Sequence, residues 1–239
     1  MRDYSSGKIF LAGERGCTEN SWFRSYNTFN FGSYQNHHKT PVWPLYVLND
    51  DTLAGGKCLS LTVEEHTDVL MLPIVGAITY KDDVGHESLI EAGQVQLSAI
   101  PKGSNIQVSN PYEKELVNFI QLWFKQPNPE VHEPLISRFD IDRHKNELIE
   151  VLPVLTNANK SLIKHPRVSI GKFWGRQEIV YTKVWQDSNV FVFVLEGAFE
   201  VQYRLLEAKD GLALNGVKEI EIEALSNDAI LLVIEMPSP

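Results

Sequence analysis

Short apolar runs separated by turn-forming residues dominate the chain. Residues 69–80, 89–97, 116–124, 180–184, 190–204 and 229–236 are rich in Val, Ile, Leu, Phe and Tyr and are bounded by Gly, Asp, Asn or Pro. Branched and aromatic side chains fit the pleated, half-buried surface of a sheet, so each run predicts a strand. Helical spacing is scarce. The stretch RHKNELIEVLPVL at 143–155 carries Leu148, Val151, Leu152 and Leu155 at helix-like intervals but is interrupted by Pro153, which predicts a short helical segment or an irregular connector.

The two ends of the chain repeat one pattern. LPIVGAITYKDDVG at 72–85 and FVLEGAFEVQYRLLEAKDG at 193–211 each read as an apolar strand, Gly-Ala, a second strand and a charged turn that closes on Gly. Gly76 and Gly197 would let the backbone reach positive φ between paired strands. Between the halves, Pro127, Pro129 and Pro134 fall within eight residues; proline removes a donor and fixes φ, so this stretch predicts an extended surface linker. The expected architecture is all-β, with two tandem barrels of the cupin (jelly-roll) kind. Their bounds are 8–126 and 165–239, joined by a proline-rich linker with a short helical segment at 127–164.

A length of 239 residues accommodates two such domains. The net charge of −9 argues against nucleic acid and against an anionic membrane surface, because both call for basic residues. Cys17 and Cys58 have no CxxC neighbour and are expected as reduced, partly buried thiols. The N-terminal sequence carries no apolar run of signal-peptide length and no segment reaches the roughly 18 apolar residues of a membrane span, so a cytoplasmic location is expected.

Several segments resemble the pirin family. SYNTFNF at 25–31, then PLYVLNDDTLAGGK at 44–57, is similar to the family's TFSF segment and the PLRVINED-type run that follows it. LPIVGAITYKDDVG stands where the family writes TYVLEGxxEHxDSxG, EAGQVQLSA where it writes a PGDxQxMSAG-like run, and SNPYEKELVNFIQLWF where it writes YNPSxxExxHxxQIW. The second half is similar to the degenerate C-terminal cupin of bacterial pirin-like proteins. The resemblance implies a bicupin with one iron-like metal in the N-terminal barrel, and quercetin 2,3-dioxygenase activity in several members.

Carried over residue by residue, the family's metal motif is missing. Counted without a gap from Gly76, the two histidines of its HPH segment fall on Thr62 and Glu64. The His and Glu of its second cluster fall on Asn105 and Gln107 when counted forward from Ser98-Ala99, and on Ile106 and Val108 when counted back from Asn110-Pro111. Neither register retains a histidine. A mononuclear dioxygenase centre needs converging imidazoles, with or without a carboxylate, and open positions for substrate and dioxygen. Thr62, Glu64, Asn105 and Gln107 are therefore expected as pocket positions without a metal.

Other candidates are weaker. Glu64, His66 and Asp68 alternate, so on a strand they would share a face and form a displaced metal site; an exposed polar strand accounts for them as well. His37 and His38 sit in a polar turn, His86 in a hairpin turn, and His132, His144 and His165 lack ligand spacing. Cys58 stands near the barrel as a small buried thiol. Phe173, Trp174, Tyr181, Trp185, Phe191 and Phe193 would line an aromatic pocket in the second barrel or simply pack its core.

The reading is a divergent pirin-like bicupin that has lost its metal. It would act as a binding or regulatory module for a small apolar or aromatic ligand or a protein partner, with no cofactor. The alternative is a quercetinase-like dioxygenase with one divalent transition metal (Fe, Mn, Ni, Cu or Zn) at Glu64, His66 and Asp68. A cofactor-free isomerase or lyase would need an acid/base pair, and none is identifiable.

Overall fold

The structure, a computed structural model, describes residues 6–126, 133–152 and 165–237. Pro127, Pro129, His132, Pro153 and Leu155 lie outside the described residues. The first strands are β1 (Ser6–Phe10), β2 (Gly16–Glu19), β3 (Phe23–Asn27), β4 (Leu45–Leu53), β5 (Cys58–Thr62) and β6 (Thr67–Val75). Next come β7 (Ala77–Asp82), β8 (Glu87–Glu91), β9 (Gln94–Ile100), β10 (Asn105–Ser109), β11 (Val117–Lys125) and β12 (Leu135–Arg138). The remainder are β13 (Ile149–Glu150), β14 (Arg167–Phe173), β15 (Glu178–Thr182), β16 (Asn189–Glu196) and β17 (Phe199–Val201), followed by β18 (Arg204–Leu206), β19 (Gly211–Asn215), β20 (Glu219–Ala224) and β21 (Ala229–Met236).

These strands make two compact units, each a pair of antiparallel sheets. The unit spanning 15–138 pairs a seven-stranded sheet, ordered β12-β9-β6-β11-β4-β3-β2, with a four-stranded sheet, β5-β10-β7-β8. Its core joins both sheets through residues such as Met71, Phe119 and Trp123 on one side and Ile78, Tyr80 and Ile106 on the other. The other unit combines residues 1–14 with 139–239, and pairs β1-β19-β16-β21-β14-β13 with β15-β20-β17-β18. Val192, Val194, Phe199, Leu212, Ile220 and Leu231 belong to its core. All-β sandwiching follows from the alternation seen in the sequence, since one face of every sheet must find another to bury against.

Three expectations need correction. The first barrel does not begin at residue 8: Ser6–Phe10 pairs with β19 in the second unit, from Ser6↔Asn215 to Phe10↔Gly211, and a short strand with one buried side chain takes the sheet edge that offers it hydrogen bonds. The segment 127–164 is not simply a linker, because Leu135–Arg138 extends the first seven-stranded sheet beside β9 and Ile149–Glu150 joins the second unit beside β14. The described part of 143–155 holds turns and the two-residue β13 in place of a helix. There the backbone bonds Asn146 N to Lys172 O and Val151 N to Val168 O, a sheet-edge solution that keeps Leu148 packed on the second core.

Candidate functional site

β5 reads CLSLT, and its exposure alternates strictly, with Cys58, Ser60 and Thr62 exposed and Leu59 and Leu61 partly buried. Its partner β10 follows suit: Asn105 and Gln107 are exposed, Ile106 and Val108 buried. The pairing is Asn105↔Thr62, Ile106↔Leu61 and Gln107↔Ser60. Side chains alternate with period two along a strand, so the inward positions on these two strands are Leu61, Ile106 and Val108, continued by fully buried Val63 after β5. Thr62, Asn105 and Gln107 face out. Glu64 is exposed in the loop that follows.

The outward residues satisfy one another. Thr62 Oγ1 donates to Asn105 Oδ1 at 2.7 Å. Asn105 gives its Nδ2 and its backbone N–H to Asp83 Oδ2 at 3.0 and 2.7 Å. The chain Thr62–Asn105–Asp83 fixes the β7–β8 turn against the start of β10, a structural role for two of the four expected pocket positions. The displaced trio does not assemble either. β6 starts at Thr67, so Glu64 and His66 precede the strand and are exposed, while Asp68 is buried and accepts from Gln126 Nε2. His66 Nδ1 instead accepts the Lys102 backbone N–H at 3.4 Å. Among the described residues no three His, Cys, Asp or Glu side chains converge as a metal site would require.

Cys17 and Cys58 are both exposed free thiols; in β5 the same alternation that buries Leu59 turns Cys58 outward. Of the aromatic candidates in the second barrel, Phe173, Phe191 and Phe193 are core residues and Trp174 is exposed. Tyr181 donates its hydroxyl to Glu235 Oε2 at 2.8 Å. Glu235 is fully buried and also accepts from Val184 N, Trp185 N and Ser188 Oγ at 3.0, 2.9 and 2.6 Å, which ties the β15–β16 connection down. A cleft of about 510 Å³ opens beside it, lined among others by Leu148, Glu150, Arg167, Ser169, Ile179 and Tyr181. Arg167 grips Glu150 through Nε and Nη2, a planar two-point pairing of the kind guanidinium groups favour.

The polar side chains inside the first barrel were not singled out from the sequence patterning. Cross-strand pairing lines up Gln96, Met71, Gln121, Asn49 and Asn27 on successive strands β9, β6, β11, β4 and β3. Ser25 stands opposite Asp51 in the neighbouring row. Each of these side chains is at most 2 % exposed. Gln121 Oε1 accepts from Trp123 Nε1 at 2.8 Å and Gln121 Nε2 donates to Asp51. Burial pushes the Asp51 carboxyl up to about 7, against the pull of hydrogen bonds from Ser25 and Gln121. The signal was present in LNDDT, whose four consecutive polar residues resemble a turn until β4 is seen to run through them.

The family model "Pirin" matches residues 11–124 and the model "Quercetinase C-terminal cupin domain" matches residues 161–236. A protein named quercetin 2,3-dioxygenase from Escherichia coli K12 is 23 % identical over 223 residues, covering 92 % of this chain and 95 % of its own. A pirin-like protein of Caulobacter vibrioides is 25 % identical over 91 % of this chain and 94 % of its own. Among solved structures, YhhW from Escherichia coli superposes with a TM-score of 0.82 at 19 % identity, over 98 % of this chain and 99 % of that one. A structure of the bacterial pirin YhhW in complex with nickel(II) gives 0.78 at 20 %, over 98 % and 100 %.

Proposed function

The chain belongs to the pirin family, and on that premise we propose that it works as a small-molecule-binding bicupin without the transition metal of its dioxygenase relatives. The observation that carries this reading is the inward face of β5 and β10. Leu61, Val63, Ile106 and Val108 offer no lone pair to an ion, and Thr62 and Asn105, turned outward, are held by hydrogen bonds to each other and from Asn105 to Asp83. Imidazole and carboxylate donors are what an iron, nickel or copper centre needs, and this donor set does not fit one. Oxygen chemistry on a flavonol through such a centre is therefore not part of the proposal.

Binding is assigned to the cleft of the second barrel. Its volume of about 510 Å³ is within the range of ordinary small-molecule pockets. Leu148, Ile179 and Tyr181 give it an apolar side continuous with the core, and Arg167, Glu150 and Ser169 supply polar atoms along its wall. A ring compound with one apolar face and several polar groups suits that lining, which also includes Asn146, Glu147 and Thr182.

The test begins with untagged protein expressed with iron, manganese, nickel, copper and zinc supplied, followed by elemental analysis and an oxygen electrode with quercetin. The expected result is metal far below one equivalent per chain and no oxygen uptake above the buffer blank. One equivalent of metal together with quercetin-dependent oxygen uptake would overturn the reading, and loss of that metal in His66→Ala would transfer the site to the loop before β6. Quercetin and simpler aromatic acids then serve as probes for the cleft, where binding weakened at least tenfold by Arg167→Ala is expected, and equal binding by wild type and variant excludes the assignment.

A further inference from the structure

The polar rows inside the first barrel leave one corner unsatisfied. Asn27 Nδ2 donates to Ser25 Oγ at 2.9 Å, and Gln121 Nε2 holds one oxygen of Asp51. Among the described residues, Asn27 Oδ1, both ends of the Asn49 amide and Asp51 Oδ1 have no hydrogen-bond partner. The three residues are 1 %, 1 % and 0 % exposed. Asn27 and Asn49 are direct cross-strand partners, and Asp51, opposite Ser25, lies two residues along β4 on the same face. Such neighbours keep their Cβ atoms within about 4.5–8 Å, so the three side chains stand side by side on the inner face of the sheet. Thr28 Oγ1, one residue beyond Asn27, is a further buried polar atom without a partner among the described residues.

Native interiors seldom leave polar atoms in this condition, and each case calls for an occupant. The chemistry of the atoms says which. Whichever way the Asn49 amide is turned, the corner with Asp51 ionised, as it is above about pH 7, presents three acceptor oxygens and one amide donor group. A water molecule has two protons to give and cannot serve all three. Asp51 also has no ion-pair partner among the described residues: the Arg15 guanidinium lies 3.5 Å from Asp50, whose side chain leaves the opposite face of β4. A buried carboxylate without a countercharge is costly. Carboxylate and amide oxygens are hard donors that prefer hard cations over the transition metals taken by imidazole.

We propose that Asn27 Oδ1, Asn49 Oδ1 and Asp51 Oδ1 form a binding site for a monovalent alkali cation inside the first barrel. One carboxylate neutralises one positive charge, and a dry interior penalises the excess charge a calcium or magnesium ion would leave. The site is prepared in advance, since Ser25 and Gln121 orient Asp51 and the Trp123 indole orients Gln121. It shares no residue with β5 or β10. The proposal therefore stands or falls apart from the transition-metal question.

The experiment is thermal unfolding by circular dichroism at a pH about 1.5 above the Asp51 value of about 7 and matched ionic strength in sodium, potassium, calcium and choline chlorides, with wild type, Asp51→Asn and Asn49→Ala. Sodium or potassium is expected to raise the wild-type Tm above the choline value by about 3 °C or more, with calcium no better than choline. Both variants should lose that increment, and Asn49→Ala, which keeps the carboxylate, decides the matter where Asp51→Asn fails to fold. Thallium-205 NMR gives a direct second readout: a bound resonance displaced by potassium in wild type and missing from Asn49→Ala. Identical melting in all four salts, a calcium effect as large as the alkali one, or an alkali effect preserved in Asn49→Ala would each overturn the proposal and leave the corner to water.

Discussion

His86 closes the β7–β8 turn through a single carboxylate. Its backbone N–H donates to Asp82 Oδ1 at 3.0 Å, its ring Nδ1 meets Asp82 Oδ2 at 2.9 Å, and its Nε2 lies 3.0 Å from Glu133 Oε2. Asp82 is buried and its first oxygen also accepts from Val84 N at 3.1 Å. The hydrogen bond and charge of Asp82, helped by Glu133, hold the His86 imidazole above its ordinary range. A base whose pKa is raised by folding stabilises the fold fully below its unfolded value and loses that contribution as pH climbs through the folded one. Wild type should therefore exceed His86→Gln in urea midpoint most at about pH 5.5, and the gap should shrink towards about pH 8.5, beyond the usual imidazole range. A gap that widens with pH would show the imidazole acting through its neutral form. Nothing in GHES reveals this: the partner carboxylate is four residues away in a turn, and Glu133 reaches the same ring from far along the chain.

At the level of strands, what the sequence made legible followed from periodicity, and what stayed hidden followed from register. The runs at 69–80, 116–124, 190–204 and 229–236 all contain strands because buried sheets demand Val, Ile and Phe at these densities. The ungapped count that set the family histidines on Thr62 and Glu64 could not sense which face those residues occupy. A one-residue shift of register moves every side chain to the other face, and CLSLT itself carried the answer in its alternation. β1 was illegible for a different reason: five residues with one buried side chain show too little pattern to announce a partner two hundred residues on. Yet Phe10 is only 1 % exposed and packs on Phe191 with centroids 5.6 Å apart. Its cross-strand neighbour is Gly211, where an added Cβ would meet the Phe191 ring at 2.5 Å, so a glycine makes room for the aromatic pair. Phe10→Ala should cost about 3–5 kcal/mol by urea denaturation, with lost amide-exchange protection concentrated in β16 and β19 and not in β4 or β11. Unchanged protection in β19 would mean that β1 is an ornament of the edge.

Across the whole molecule the repeat is deeper than the shared Gly-Ala. β6 and β16 occupy the same place in their units, each pairing centrally and then crossing to the facing four-stranded sheet. In both, the ladder skips one residue two positions before the glycine: Val75 and Pro73 pair across Ile74, and Val194 and Glu196 pair around Leu195. Such a bulge bends its strand and increases the local twist. The glycine that follows has φ of 79° at Gly76 and 78° at Gly197, a conformation that side chains with a Cβ resist. One device, bulge then left-handed glycine, thus turns the chain from one sheet to the other in each barrel. The surroundings differ. A Cβ on Gly76 would meet Tyr112 and Val117 side-chain atoms at 3.0 Å, whereas one on Gly197 would overlap Ser226 Oγ and meet Ala229 Cβ at 2.8 Å. Tyr112 is 39 % exposed and can swing away, and buried Val117 at 3.0 Å need give only slightly, while Ala229 is fully buried in β21 and overlaps more deeply. Gly76→Ala should accordingly cost about 1 kcal/mol from backbone strain, and Gly197→Ala about 2–3 kcal/mol from strain and overlap together. Equilibrium denaturation of the two variants measures both. Equal costs would mean that backbone conformation alone governs the turn, and a larger cost at Gly76 would mean that the first barrel is the stiffer of the two at its sheet crossing.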